Sequence, residues 1–322
     1  MTWPSQELLF ALLYAVICMF CAMLSSAALI LPGKNRPILQ VLATILPIAV
    51  AAFALFRHGG IDPAVTLLTA SAATLAIFVN GAIIVITPRP HREPPPAQSP
   101  AAALVLPLAL VLILAGFSAH LTIAACIGLG VLGVLGVDMA RGMPPLPDHT
   151  APATAPASPK LAWPLCIVIA AIPLVLLYVV TGQFWHSAQA THLVRVRDLA
   201  IVNLLCPALL ISLLRTCLRV AHDHAPADAL GMTGSAIGVI LGLALPGMCL
   251  LDFLLRRQTT ELALMAGLPQ LSWRLDAPLL AAGGFALVAM RMDVLRPHRW
   301  VGLLLIMLYI AYLLTGSALR LF

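Results

Sequence analysis

Charge is scarce in this chain. Only 9% of its 322 residues are Asp, Glu, Lys or Arg, against about 25% in soluble domains. Mean hydropathy is +1.03. Such a composition excludes a water-soluble enzyme domain, a disordered protein and a nucleic-acid binder. A disulfide framework is missing too. The seven cysteines are an odd count, and all lie in apolar stretches, where a free thiol behaves as a small hydrophobe. Cys18 and Cys21 form a C-x-x-C, but on an apolar run without nearby histidines. No cleavable signal peptide is evident, because the first apolar run (8–31) is longer than a signal core and lacks a basic lead. No Ser-His-Asp, Cys-His or paired-carboxylate arrangement stands at useful spacing, so catalysis is not expected, and no cofactor is implied.

What the chain has is apolar length. Hydrophobic residues make up 61% of it, and one membrane-spanning helix uses about 20 residues, so roughly ten spans are available. Polar punctuation places them at 8–31, 37–56, 63–86, 101–118, 121–137, 161–181, 198–218, 227–251, 277–292 and 299–319. Proline-rich stretches at 88–100 and 144–159 read as linkers. Cutting at the second gives a five-span half at 1–140, a linker at 141–160 and a second five-span half at 161–322. The fold class expected is therefore an all-α membrane protein of ten transmembrane helices. With the N-terminus outside, the cytoplasmic side carries eleven Lys and Arg against seven opposite. That is a positive-inside bias, and it puts both termini outside a bacterial inner membrane. Trp163, Trp185, Trp273 and Trp300 near span ends read as an interfacial belt. Gly128, Gly130, Gly133 and Gly136 read as a close-packing face.

An odd number of spans per half forces the second half into the membrane upside down, and inverted repeats are a signature of secondary transporters with a site at the midplane. The halves share a pattern. Pro47 and Ile48 in the second span correspond to Pro207 and Ala208 in the seventh, with Thr44 three residues before the first proline, Asn203 four before the second, and Ser212 five after it. Each mid-span proline removes a backbone hydrogen bond. Downstream, Asp62, Thr69 and Ser71 correspond to Asp228, Thr233 and Ser235.

At these residues the chain resembles the cation/calcium exchanger superfamily, the sodium/calcium exchangers and their prokaryotic relatives. Pro207 to Ser212 is similar to that family's P-E-L-x-T-S, and Asp228 to Gly242 to its D-x-A-x-G-N-x-x-G-S-N. Arg296 to Leu314 is similar to its closing R-x-E-G-x-L-L-L-x-Y-x-x-Y-L. The first half matches at Thr44, Pro47, Asp62, Ala64 and Ser71. The resemblance implies ten spans in two inverted five-helix repeats. It also implies a central cavity lined by Thr44, Pro47, Ile48, Thr69, Ser71, Asn203, Pro207, Ala208, Ser212, Thr233 and Ser235.

The family's acid after each proline is replaced here by Ile48 and Ala208, and its asparagines by Leu67, Ala72, Met232 and Ala236. Calcium needs six to eight oxygen ligands, several usually carboxylates. Every carboxylate of this sequence falls outside the centre of a span, so no intramembrane acid is expected. Two functions follow. One is a secondary transporter, embedded in the lipid bilayer, that passes a weakly held monovalent cation or small solute through neutral oxygens. The other is a transport-inactive scaffold or regulatory subunit that kept the fold and serves a partner subunit.

Overall fold

A computed structural model of the chain describes residues 4–30, 37–87, 100–117, 120–143, 159–190, 200–223, 226–256, 264–267, 272–292, 294–295 and 298–321. The proline-rich linkers (88–99 and 144–158), His192 and His224 lie outside the described residues, as do the side chains of Trp163 and Trp273.

Ten helical stretches appear among the described residues. They are α1 (Pro4–Ile30), α2 (Pro37–Gly59), and α3 (Ile61–Thr74), which continues through a π turn (Leu75–Val79) into Asn80–Ile86. Next come α4 (Val105–Phe117) behind a 3-10 turn (Pro100–Leu104), α5 (Ile123–Arg141) and α6 (Pro159–Ala190). Helix α7 (Cys206–Asp223) follows a π turn (Ile201–Leu205). Helix α8 (Pro226–Val239) runs through a π turn (Ile240–Ala244) into Leu245–Arg256. Helix α9 (Ala277–Arg291) follows a π turn (Ser272–Asp276), and α10 (Arg299–Leu321) closes the described chain. Each of the ten expected spans coincides with one stretch. Eight helices, α1 to α8, are long and apolar enough to cross a membrane, and Arg299–Thr315 of α10 is a shorter apolar helix. Helices suit a bilayer because every interior backbone group bonds within its own segment.

Prolines explain most of the irregular turns. Three of the four π turns among the described residues are followed two positions later by proline: Pro207, Pro246 and Pro278. A helical proline lacks an N–H and its ring meets the carbonyl four residues back. Those carbonyls belong to Asn203, Gly242 and Arg274, each inside the widened turn. Pro47 lies inside α2 without such a turn. Gly60, with φ 89°, makes the sharp break between α2 and α3.

Helix α3 is the centre of the molecule. Of Ile61–Thr74, every residue but Asp62 is buried. The first part of α8 is nearly as enclosed, with Ala227 and Ala229–Val239 buried. Around them the helices pair in a regular way: α1 on α6, α4 on α9, α3 on α10, and α5 on α8. Glycines set the closest approaches. A Cβ placed on Gly133 of α5 would sit 2.7 Å from Gly242 Cα of α8, and one on Gly81 of α3 would sit 2.8 Å from the Gly302 carbonyl of α10. Gly136 also faces α8, at Gly238, whereas Gly128 has open space around it. Only part of the glycine row therefore packs helix to helix.

Outside this centre, α1 and α6 turn Leu9, Leu13, Phe20, Val168 and Ile172 outward, as a lipid-facing surface requires. Trp300 is exposed, but Trp185 is buried. Its ring lies so close to Gly59 that no Cβ would fit there, so Trp185 packs helices α2 and α6 rather than forming part of a belt. Two short strands, β1 (His120–Thr122) and β2 (Leu264–Gly267), pair antiparallel with a bulge between Leu121 and Thr122. They tie the connection after α4 to the connection after α8.

Candidate functional site

Of the seven neutral polar residues expected to line the centre, six are buried, and they are not used alike. Thr44, Ser71, Thr233 and Ser235 have no exposed surface, and Thr69 and Ser212 are buried. Thr44 donates to its own helix, with the Gln40 and Val41 carbonyls both at 2.9 Å. Ser212 reaches the Leu209 carbonyl at 3.5 Å. Pro47 and Ile48 are buried on α2, while Asn203, Pro207 and Ala208 are partly exposed on α7 and the π turn before it.

Four side-chain hydrogen bonds join α3 and its continuation to the second half of the chain. Ser71 and Thr74 each approach the Cys206 sulfur at 3.6 Å, which brings α3 against the residue preceding Pro207. The Thr233 hydroxyl of α8 donates to Asn80 Oδ1 at 2.5 Å, while Asn80 Nδ2 donates to the Ala76 carbonyl at 3.0 Å. The Thr69 hydroxyl donates to Asp276 Oδ2 at 2.9 Å. Ser235, expected to mirror Ser71, is buried with its hydroxyl unbonded among the described residues.

Asp276 corrects the expectation that no acid lies in the interior. It is 1% exposed. Beyond Thr69, it accepts a hydrogen bond from the Tyr312 hydroxyl of α10, 2.6 Å from Oδ1. It stands at the start of α9, yet its side chain makes no cap to that helix. Thr69 lies about 12 Å along α3 from Ile61, and Tyr312 about 20 Å along α10 from Arg299, at 1.5 Å per residue. The carboxylate is thus held well inside the bundle. The sequence hides this because Arg274-Leu275-Asp276 has the composition of a surface connection. Asp252, near the end of α8, is also buried. Asn80, Thr74, Cys206 and Tyr312 complete the residues missed on sequence. Only Asn80 carried a signal, as an amide within an apolar run.

Chemically, the centre offers hydroxyls, one amide, a thiol and one carboxylate. Among the described residues no group of three or more His, Cys, Asp or Glu is placed to hold a metal ion. A calcium cage of several carboxylates is therefore not assembled from them.

No protein-family model matches the chain, and no curated protein matches it by sequence. Solved structures do match. The H+/Ca2+ exchanger CAX superposes with a TM-score of 0.60 at 10% identity, covering 99% of this chain and 89% of that one. YfkE superposes with a TM-score of 0.67 at 11% identity, covering 96% and 92%. The sodium-calcium exchanger NCX_Mj, in crystals soaked with sodium and strontium, gives 0.54 at 14% identity, covering 96% and 97%. Nearly the whole chain is matched in each case, so this is an all-α integral membrane protein with the fold of the cation/calcium exchangers.

Proposed function

We propose that the chain is a secondary transporter of ten spans, formed by inverted repeats at 1–140 and 161–322 that are joined by the 141–160 linker. Its pathway does not use the family's paired acids. Two kinds of observation support the architecture. Several helix pairings survive exchange of the halves: α1–α6 and α4–α9 map onto themselves, α3–α10 exchanges with α5–α8, and α3–α9 with α4–α8, whereas the α1–α2 pairing has no close α6–α7 counterpart among the described residues. The β1–β2 pairing puts the connections after α4 and after α8 together, as four single crossings by α5 to α8 require. Both termini then lie outside, in the bacterial inner membrane.

The observation that carries the function is the meeting of polar residues from both halves along α3. Thr233 bonds Asn80, Cys206 sits between Ser71 and Thr74, and Asp276 bonds Thr69, while the two acid positions are Ile48 and Ala208. Neutral oxygens hold a monovalent cation or a small solute weakly, and weak holding lets a substrate leave as well as enter. The test is flux in reconstituted liposomes across a panel of monovalent and divalent cations, with and without a pH gradient. Saturable flux of a monovalent ion supports the reading. A second reading, a transport-inactive scaffold serving a partner subunit, draws support from Ile48 having no exposed surface and from Thr44 bonding to its own helix. Absence of flux for every cation, from folded protein, favours it.

A further inference from the structure

We propose that Asp276 is a proton-binding site, held between α3 and α10 by a hydrogen-bond network that is complete in both of its protonation states.

In the ionised state each carboxylate oxygen accepts from a hydroxyl, Oδ1 from Tyr312 and Oδ2 from Thr69. Bonds to an ionised acceptor are roughly twice as strong as neutral ones. The protonated state needs no rearrangement of heavy atoms. Thr69 Oγ1 also lies 3.0 Å from the Val65 carbonyl and 3.3 Å from the Thr66 carbonyl. The Thr69 hydrogen can therefore turn to its own helix. Asp276 Oδ2–H then donates to Thr69 Oγ1, and Tyr312 continues to donate to Oδ1. A proton taken from water adds to Oδ2 and returns to water on release. No bond between heavy atoms forms or breaks. Neither state leaves a member of the network without a bond, which is what a low-dielectric interior demands of a polar network.

Titratable groups stand near Asp276 on the neighbouring helices. From α7 the Cys206 thiol is close enough to interact with it electrostatically, and from α10 Tyr312 bonds it, with the Tyr309 ring 6.0 Å from that of Tyr312. On α3 the titratable residue is Asp62, exposed at the N-terminal end, and α4 contributes none. On its own segment, Arg274 and Arg291 are exposed. The proton state then sets how firmly α3 and α10 grip the start of α9, since the ionised acid accepts two strong bonds and the neutral acid weaker ones. Ionisable residues inside membrane bundles mark proton and ion pathways. Coupling this proton to a transported solute rests on the transporter reading above. The binding of the proton does not.

The experiment is infrared difference spectroscopy of the full-length protein in liposomes, titrated between about pH 4 and pH 9, the range open to buried carboxyls, with no transported solute present. The expected result is a carboxylic C=O band that grows on acidification, moves in heavy water and is missing in Asp276→Asn. Tyr312→Phe and Thr69→Val each remove a donor to the ionised form. Each should raise the midpoint by about one to two pH units, the worth of one charge-assisted bond. These two variants carry the test should Asp276→Asn not fold. A band that survives Asp276→Asn overturns the proposal, and so does a midpoint that neither hydroxyl variant moves. Flux without this titration removes the proton site and leaves the transporter reading standing. Titration without flux does the reverse.

Discussion

Ile48 and Ala208, each directly after a mid-span proline, lie in different surroundings. Ile48 has no exposed surface, while Ala208 is partly exposed on α7. Ile48→Glu should therefore destabilise the protein by about 2.5–3.5 kcal/mol, the insertion cost of a mid-span charge, and Ala208→Glu by less. Thermal melting of the purified variants reads this order. If the two positions face a shared space, the double variant carries a pair of acids that can share a cation. Its melting temperature should then rise with added sodium or calcium by mass action, while the parent's does not. A folded double variant that ignores both ions would argue for a filled centre and the scaffold reading. Thr233→Val makes a separate case. It keeps the shape of the side chain but leaves Asn80 Oδ1 without the hydroxyl that donates to it, at a cost of about 1–3 kcal/mol. Thr44→Val, which loses only bonds to its own helix, should shift the denaturation midpoint much less.

At the scale of helices, the small residues divide sharply. A Cβ on Gly133 would collide with the backbone of Gly242, whereas one on Gly128 would meet no neighbouring helix within 4 Å. An added methyl at Gly133 must push α5 from α8, an overpacking cost of about 1–3 kcal/mol. Gly133→Ala should lower the melting temperature, and Gly128→Ala should leave it nearly unchanged. Equal effects of the two would contradict the α5–α8 crossing. The four glycines look alike in sequence, since a small residue marks close approach only where a partner helix is present. The prolines were more legible. Pro207 was readable as a disruption, but the π turn that absorbs it, and the repetition of that device before Pro246 and Pro278, were not. A five-residue widening leaves no mark in hydropathy.

For the molecule as a whole, the proposed inverted arrangement predicts that the connections at Asp62 and at His222 open on opposite faces of the membrane. Both residues are exposed. Six of the seven native cysteines are buried, and Cys166 is the intermediate one, so a Cys166→Ser background is silent enough for labelling. Asp62→Cys and His222→Cys should react with a membrane-impermeant thiol reagent from opposite sides of sealed vesicles. Asp62→Cys should react from outside. Labelling of both from one side would sink the inverted repeat. Architecture at this scale was the most legible part of the protein, because apolar runs of span length are a property of the chain itself. Each of the ten expected runs coincides with a helical stretch.

What the sequence determined alone was the solvent and the set of segments. Hydropathy decides which stretches leave water, and proline and glycine decide where they break. It also shows that the residues directly after Pro47 and Pro207 are the apolar Ile48 and Ala208. Only the tertiary structure decided which polar groups meet. Asp276 read as part of a surface connection because Arg274 precedes it, yet the short α9 begins inside the bundle and carries it between Thr69 and Tyr312. Asn80 found Thr233 across 153 residues of chain. Trp185 left the expected interfacial belt to pack on Gly59. Local composition reports how much a residue prefers water. It cannot report whether a break between helices faces water or another helix, and that difference separates a surface aspartate from a buried one.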